Sequence, residues 1–182
     1  MNLKKFRDVL DTIPKKVRQF FLRAAIFFIV WKLLYTFVLM PSGIPNVFLT
    51  NFTALGTAEF LTAVMQNPAT ATYTVKAAFI HTSEATIGIG HSCNALEVFV
   101  LYIGFIFCIP TSFKKQLIYC LGGVILIYLA NVLRCAGLFY LLSLKSNFFH
   151  VAHKYVFKFV LYALVFLLWY FYTKPKPATV SA

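Results

Sequence analysis

Charged side chains are scarce in this chain: they make up 12% of 182 residues, and only five are acidic. Hydrophobic residues make up 60%, more apolar surface than one water-soluble core of this length needs to bury, so the composition excludes an ordinary soluble domain. Glycine-rich phosphate loops and internal repeats are missing, and low complexity is confined to the Lys174-Pro175-Lys176-Pro177 tail. A single domain is expected. The four cysteines, Cys93, Cys108, Cys120 and Cys135, fall in or beside apolar runs, a placement that suggests no disulfide framework. The net charge of +12 would suit nucleic acid. Most of the basic residues sit beside apolar runs, however, where membrane orientation explains them, so the expected partner is the lipid bilayer and not nucleic acid.

What is present is a set of apolar runs of spanning length. A helix needs about 20 mostly apolar residues to cross the hydrocarbon. Four runs qualify, at 20–40, 93–110, 117–142 and 155–172, and Pro41, Pro110 and Pro175 mark three of their exits. The fold expected is an all-α integral membrane protein with about four transmembrane helices and a mixed extracytoplasmic segment between the first and second. Seven basic residues between Lys4 and Arg23 precede or open the first run, which is long and has no small-x-small cleavage site, as in an uncleaved signal anchor.

The basic residues set the orientation. Lys114 and Lys115 follow the second run, Lys174 and Lys176 follow the fourth, and the stretch from Pro41 to His91 carries only Lys76. By the positive-inside rule, residues 1–19 and 173–182 are cytoplasmic and 41–92 lies outside. Within 41–92, apolar Phe52, Leu55, Phe60, Leu61 and Val64 suggest an interfacial helix over 51–65. Alternation through Tyr73, Val75, Ala77 and Phe79 suggests one strand, returned by Thr82-Ser83-Glu84 through Thr86 to Ile89 as a hairpin.

This topology carries three chemically distinct side chains to one face. Cys93 opens the second span, His153 opens the fourth, and Arg134 lies about 12 Å below the outer end of the third. Glu97 is expected one helical turn below Cys93 on the same helix face. Ionisable residues at membrane depth are costly unless they pair or face a wet cavity, which marks them as functional candidates. Each also has a structural explanation: a buried small cysteine, a snorkelling arginine, an interfacial histidine. The other cysteines are expected to be packing residues.

The order Ser92-Cys93-Asn94-Ala95, then Ala130-Asn131-Val132-Leu133-Arg134, then His153, each on its own helix, resembles the exosortase/archaeosortase family, particularly its short Bacteroidetes-type members. The resemblance covers about Cys93 to Tyr172. Asn94-Ala95-Leu96-Glu97 replaces the glycine-plus-basic residues that often follow the family cysteine. The resemblance implies a membrane-embedded cysteine protease or transpeptidase of the bacterial inner membrane, multi-pass, with its site facing the periplasm or exterior. It would cleave C-terminal sorting signals of exported proteins through a thioacyl intermediate and pass them to an unknown acceptor. Cys93 would be the nucleophile, His153 the proton carrier and Arg134 the cation facing the oxyanion. Glu97 would anchor the guanidinium, with Asn131 in support and His150 as the alternative histidine.

No cofactor or resident metal is expected. His91-Ser92-Cys93 and His150-x-x-His153 do offer nitrogen and sulfur donors of the zinc type, though neither spacing matches an established motif. An outer-face metal-binding membrane protein and a non-enzymatic assembly factor are therefore the alternatives to an enzyme.

Overall fold

The computed structural model describes residues 14–64, 66, 68–109 and 111–174. The expectations for residues 1–13, for Pro110 and for the tail from Pro175 lie outside the described residues.

Four helices are long and apolar enough to cross a membrane: α1 (Lys15–Ser42), α2 (Ile44–Val64), α4 (Phe113–Ser143) and α5 (Phe149–Thr173). A shorter apolar helix, α3 (Leu96–Cys108), lies between α2 and α4. A three-stranded antiparallel sheet, β1 (Thr70–Tyr73), β2 (Ala77–His81) and β3 (Thr86–Gly90), fills the connection from α2 to α3.

The number of helices long and apolar enough to span agrees with the sequence, although by length and composition α2 takes the place in that count expected for the run at 93–110. The run at 93–110 yields only the 13 residues of α3, about 20 Å of helix against a hydrocarbon layer of about 30 Å. The helix expected over 51–65 starts earlier, at Ile44, and with 21 residues is long enough to span. Local chemistry accounts for both. Ala95 sits in the left-handed region at φ 60°, which stops helical hydrogen bonding from reaching back to Cys93. The Asn94 side chain instead accepts from the Leu96 N–H at 3.0 Å, meeting one of the orphan donors at the start of α3. In α2, Pro45 falls in the first turn, where its missing N–H is harmless, so the helix begins before the polar Asn46.

The face that α2 buries is made of the small residues Thr50, Thr53, Ala54, Thr57 and Ala58, ending at the larger Leu61. This i, i+3, i+4, i+7 stripe lets two backbones approach closely, which is how helices associate where water is absent to drive them together. The larger Leu55 and Val64 are exposed. Along the seam the Phe52 ring stacks on Tyr128, and a Cβ placed on Gly56 would meet Tyr128 and Val132. The contacts begin near the middle of α4 and advance toward Ser143, so α2 packs on the distal half of that helix.

The sheet caps the same half. Ala78 and Ile80 of β2, with Ile87 and Ile89 of β3, form the buried face and join Ala54, Ala58, Leu61, Leu138 and Phe139 in one cluster. Phe79 pairs with Gly88 on the opposite, exposed face. The hairpin expected from Thr82 to Glu84 is present, but the single strand over Tyr73–Phe79 is two strands. Thr74 breaks it: its hydroxyl donates to the Ala77 carbonyl at 2.6 Å and accepts from the Ala77 N–H at 3.0 Å, closing a turn.

A second cluster holds α3, the proximal half of α4 and α5 together through Tyr102, Ile106, Ile127, Val165 and Tyr172. The Tyr102 hydroxyl donates to the Tyr119 carbonyl at 2.7 Å beside the glycine at 123. A helix as short as α3 leaves carbonyls unpaired at its end. The Tyr172 hydroxyl serves those of Ile106 and Ile109 at 3.2 and 3.1 Å, and Gln116 Nε2 reaches both at 3.4 Å.

Candidate active site

The chain between β3 and α3 makes a 3₁₀ turn, His91–Cys93, and the nucleophile candidate sits at its end. Cys93 is therefore on a turn and not at the head of a long helix. It is 8% exposed. From α5, His153 brings Nε2 to 3.6 Å from the Cys93 Sγ. From α4, Arg134 Nη2 donates toward the same sulfur at 3.7 Å. The sulfur thus has an imidazole and a guanidinium in contact, contributed by two different helices.

Asn131 organises this arrangement. Its Nδ2 donates to the Cys93 carbonyl at 2.9 Å, and its Oδ1 accepts from Arg134 Nη1 at 3.3 Å. Residues three apart on a helix share a face, so the Asn-x-x-Arg spacing aims both side chains at the turn. One buried amide fixes the backbone of the cysteine and the plane of the guanidinium.

His153 lies in a five-residue π turn, Ala152–Val156, within α5, a local widening of the kind that often occurs at functional sites. Its ring stacks on Phe149 at 6.1 Å between centroids. His150 is exposed and meets the Phe149 ring edge-on. The structure thus brings His153 to the thiol and leaves His150 on the surface.

Glu97 is not the anchor expected for Arg134. The left-handed Ala95 intervenes, so Glu97 is not one regular turn below Cys93, and its exposed carboxylate makes no ion pair with the guanidinium. It instead lines a cavity of about 440 Å³ beside the turn, together with Ser92, Asn94 and Arg134. Arg134 is 5% exposed, and its Nε has no hydrogen-bond partner.

A polar network on the other side of the turn was not foreseen. Asn94 Nδ2 donates to Asn46 Oδ1 at 3.2 Å, to the Asn46 carbonyl at 3.3 Å and to Thr50 Oγ1 at 3.4 Å. Asn46 Nδ2 continues to the Tyr35 hydroxyl at 2.8 Å, and Thr50 Oγ1 lies 3.0 Å from His91 Nδ1. This network ties the turn to α1 and α2. The available signal was amide and threonine side chains inside otherwise apolar helices, which need partners in such surroundings.

The imidazoles do not converge on a metal. His91 faces Thr50, His153 faces Cys93, and His81 bridges Thr72 and Thr86 within the sheet. Among the described residues no group of three His, Cys, Asp or Glu is placed to hold a metal ion. Cys108, Cys120 and Cys135 are free thiols.

Fold and site together define a class: a multi-pass helical protein in which a turn cysteine, a histidine and a buried arginine from three separate elements meet. No family model, curated protein or solved structure matches the chain.

Proposed function

We propose that the chain is a membrane-embedded cysteine transpeptidase or protease of the bacterial inner membrane, similar to exosortases, that cleaves C-terminal sorting signals of exported proteins on the periplasmic or exterior face. The observation that carries this reading is the Cys93 sulfur lying within 3.6 Å of His153 Nε2 and 3.7 Å of Arg134 Nη2. A nucleophile, its proton acceptor and a fixed cation are the parts that acyl transfer needs.

In the first half-reaction His153 Nε2 takes the thiol proton, which requires the tautomer with Nε2 unprotonated. The sulfur attacks the scissile carbonyl carbon, a C–S bond forms, and the C=O π pair moves onto oxygen. Arg134, already at the sulfur, faces the oxyanion, and its charge acts strongly in a site shielded from water. Collapse breaks the C–N bond, and the proton held on His153 goes to the leaving amine. In the second half an acceptor N–H or O–H gives its proton to His153 as it attacks the thioester carbon. The C–S bond then breaks, and the thiol is restored by the same proton.

The test is processing of a reporter carrying an apolar, basic-ended C-terminal signal. Cys93→Ala should abolish processing with the protein still folded in the membrane, while Cys108→Ala and Cys120→Ala process normally. Full processing by Cys93→Ala refutes the reading.

A further inference from the structure

The cavity beside the nucleophile gathers more positive charge than the cysteine chemistry uses. Lys32 of α1, Lys158 of α5 and Arg134 of α4 line it, and Glu97 is the one carboxylate in its wall. Among the described residues none of these three cations has a carboxylate within ion-pair distance. Arg134 is almost fully buried with its Nε unpaired. The buried Arg134 charge is costly unless an anion completes it, while Lys32 and Lys158 are exposed and able to reach one in the cavity.

Depth narrows the anion. Lys32 is sixteen residues beyond Lys16 and Lys158 sixteen before Lys174, each about 24 Å along its helix, and Arg134 is twenty beyond Lys114, about 30 Å. Those partners form a basic band at one end of α1, α4 and α5. The hydrocarbon layer is about 30 Å thick. The cavity cations therefore lie about 24–30 Å from the basic band, toward the opposite face of the hydrocarbon layer and within a long side chain's reach of the phosphates there. Trp31 and Tyr162 in the cavity wall suit the same level, since amphipathic rings settle at the headgroups.

We infer that this cavity is a phosphate-ester site, holding a phosphate among Lys32, Lys158 and Arg134, with a phospholipid headgroup as the source its depth favours. A soluble phosphate ester shares that chemistry and is separated by experiment. The inference shares Arg134 with the proposed peptidase but uses neither the thiol nor the imidazole, so lipid retention by Cys93→Ala separates its failure from that of the proposed activity.

The test uses the full chain purified in a phosphate-free maltoside detergent. Phosphatidylglycerol is added and scored by native mass spectrometry and by the shift in Tm. Wild type and Cys93→Ala should both retain the lipid and gain stability, and Lys32→Gln and Lys158→Gln should each weaken binding about tenfold or more, as expected for loss of a charged hydrogen bond. Lys154→Gln, outside the cavity lining, should bind as wild type. The Lys32→Arg, Lys158→Arg double variant should keep binding even if the double Gln variant fails to fold. Stabilisation by glycerol 3-phosphate without lipid retention would assign the site to a soluble ester and still support a phosphate site. Undiminished lipid binding by the folded double Gln variant overturns the inference, as does stabilisation by an acidic peptide with none by either phosphate probe.

Discussion

Replacing Arg134 by lysine keeps a positive charge and removes the planar fork, and the geometry gives the size of the effect. The guanidinium uses Nη2 on the Cys93 sulfur and Nη1 on Asn131 Oδ1, two contacts in different directions. An ammonium has three donors but only one nitrogen position, and it cannot stand where both Nη1 and Nη2 stand, so one contact is weakened or lost. If it stays at the sulfur, Asn131 Oδ1 is left buried without a donor, at about 1–3 kcal/mol. Were that cost borne in the transition state, it would slow acyl transfer about 5- to 150-fold at 1.36 kcal/mol per tenfold. If the ammonium moves to Asn131 instead, the oxyanion loses its donor, which in other acyl-transfer enzymes costs about 10²–10³ in rate. Either way Arg134→Lys should fall well toward Arg134→Ala. The assay is initial-rate cleavage of the sorting-signal reporter in nanodiscs, repeated in Asn131→Ala and in the double variant. Because Asn131→Ala removes the same contact, the double variant should be less impaired than the product of the singles, with a coupling of about 0.5–3 kcal/mol. Wild-type rates in Arg134→Lys, or strict additivity with Asn131→Ala, would show that the fork has no role and that the arginine is only a buried cation.

Four further outcomes are expected. Reporter fusions after Thr111 and after Ser146 should report the cytoplasm and the exterior respectively; the opposite result removes the common-face orientation. His153→Ala should abolish processing while His150→Ala leaves it within about twofold, because only His153 reaches the sulfur; equal losses would contradict the assignment. Gly123→Ala should destabilise the protein by about 1–3 kcal/mol or more, since a Cβ there falls on the buried Tyr102 ring, measured as a lower Tm in detergent. Ala95→Val should reduce both yield and activity, because a β-branched side chain is strained at φ 60°; unchanged processing would show that the left-handed turn does not set the thiol position.

The parts of the fold legible in the sequence were those encoded by composition over long windows. α1, α4 and α5 each have a run of large apolar residues bounded by charge, and their positions agree with the expected spans to within several residues. α2 was read too short because its buried face is mostly threonine and alanine, which apolar-run counting undervalues although small residues let helices pack closely. α3 was overestimated because nothing in Cys93-Asn94-Ala95 announces a left-handed alanine, a conformation usually left to glycine or asparagine. The site was legible where spacing on one helix governs it. Asn131 and Arg134 share a face by arithmetic, and their alignment with Cys93 and His153 followed from the direction of the spans. The Glu97 pairing failed because it assumed unbroken helix from Cys93. The network through Asn46 and Thr50 depends on where α2 docks, which is a property of tertiary packing.

The left-handed residue at Ala95 also decides which part of the molecule holds the thiol in place. Rigid helix does not run through from α3 to Cys93; the cysteine backbone is instead tied by the Asn131 amide to α4, and its neighbour Asn94 to α2. A small tilt or slide of α3 can therefore be absorbed at the hinge without dragging the sulfur out of line, whereas a one-residue insertion between Asn131 and Arg134 would swing the guanidinium by about 100° around α4. Mechanically, α3 follows the nucleophile in the chain and α4 carries it. Damage along α3 should register as lost membrane stability, and damage along one face of α4 as lost chemistry.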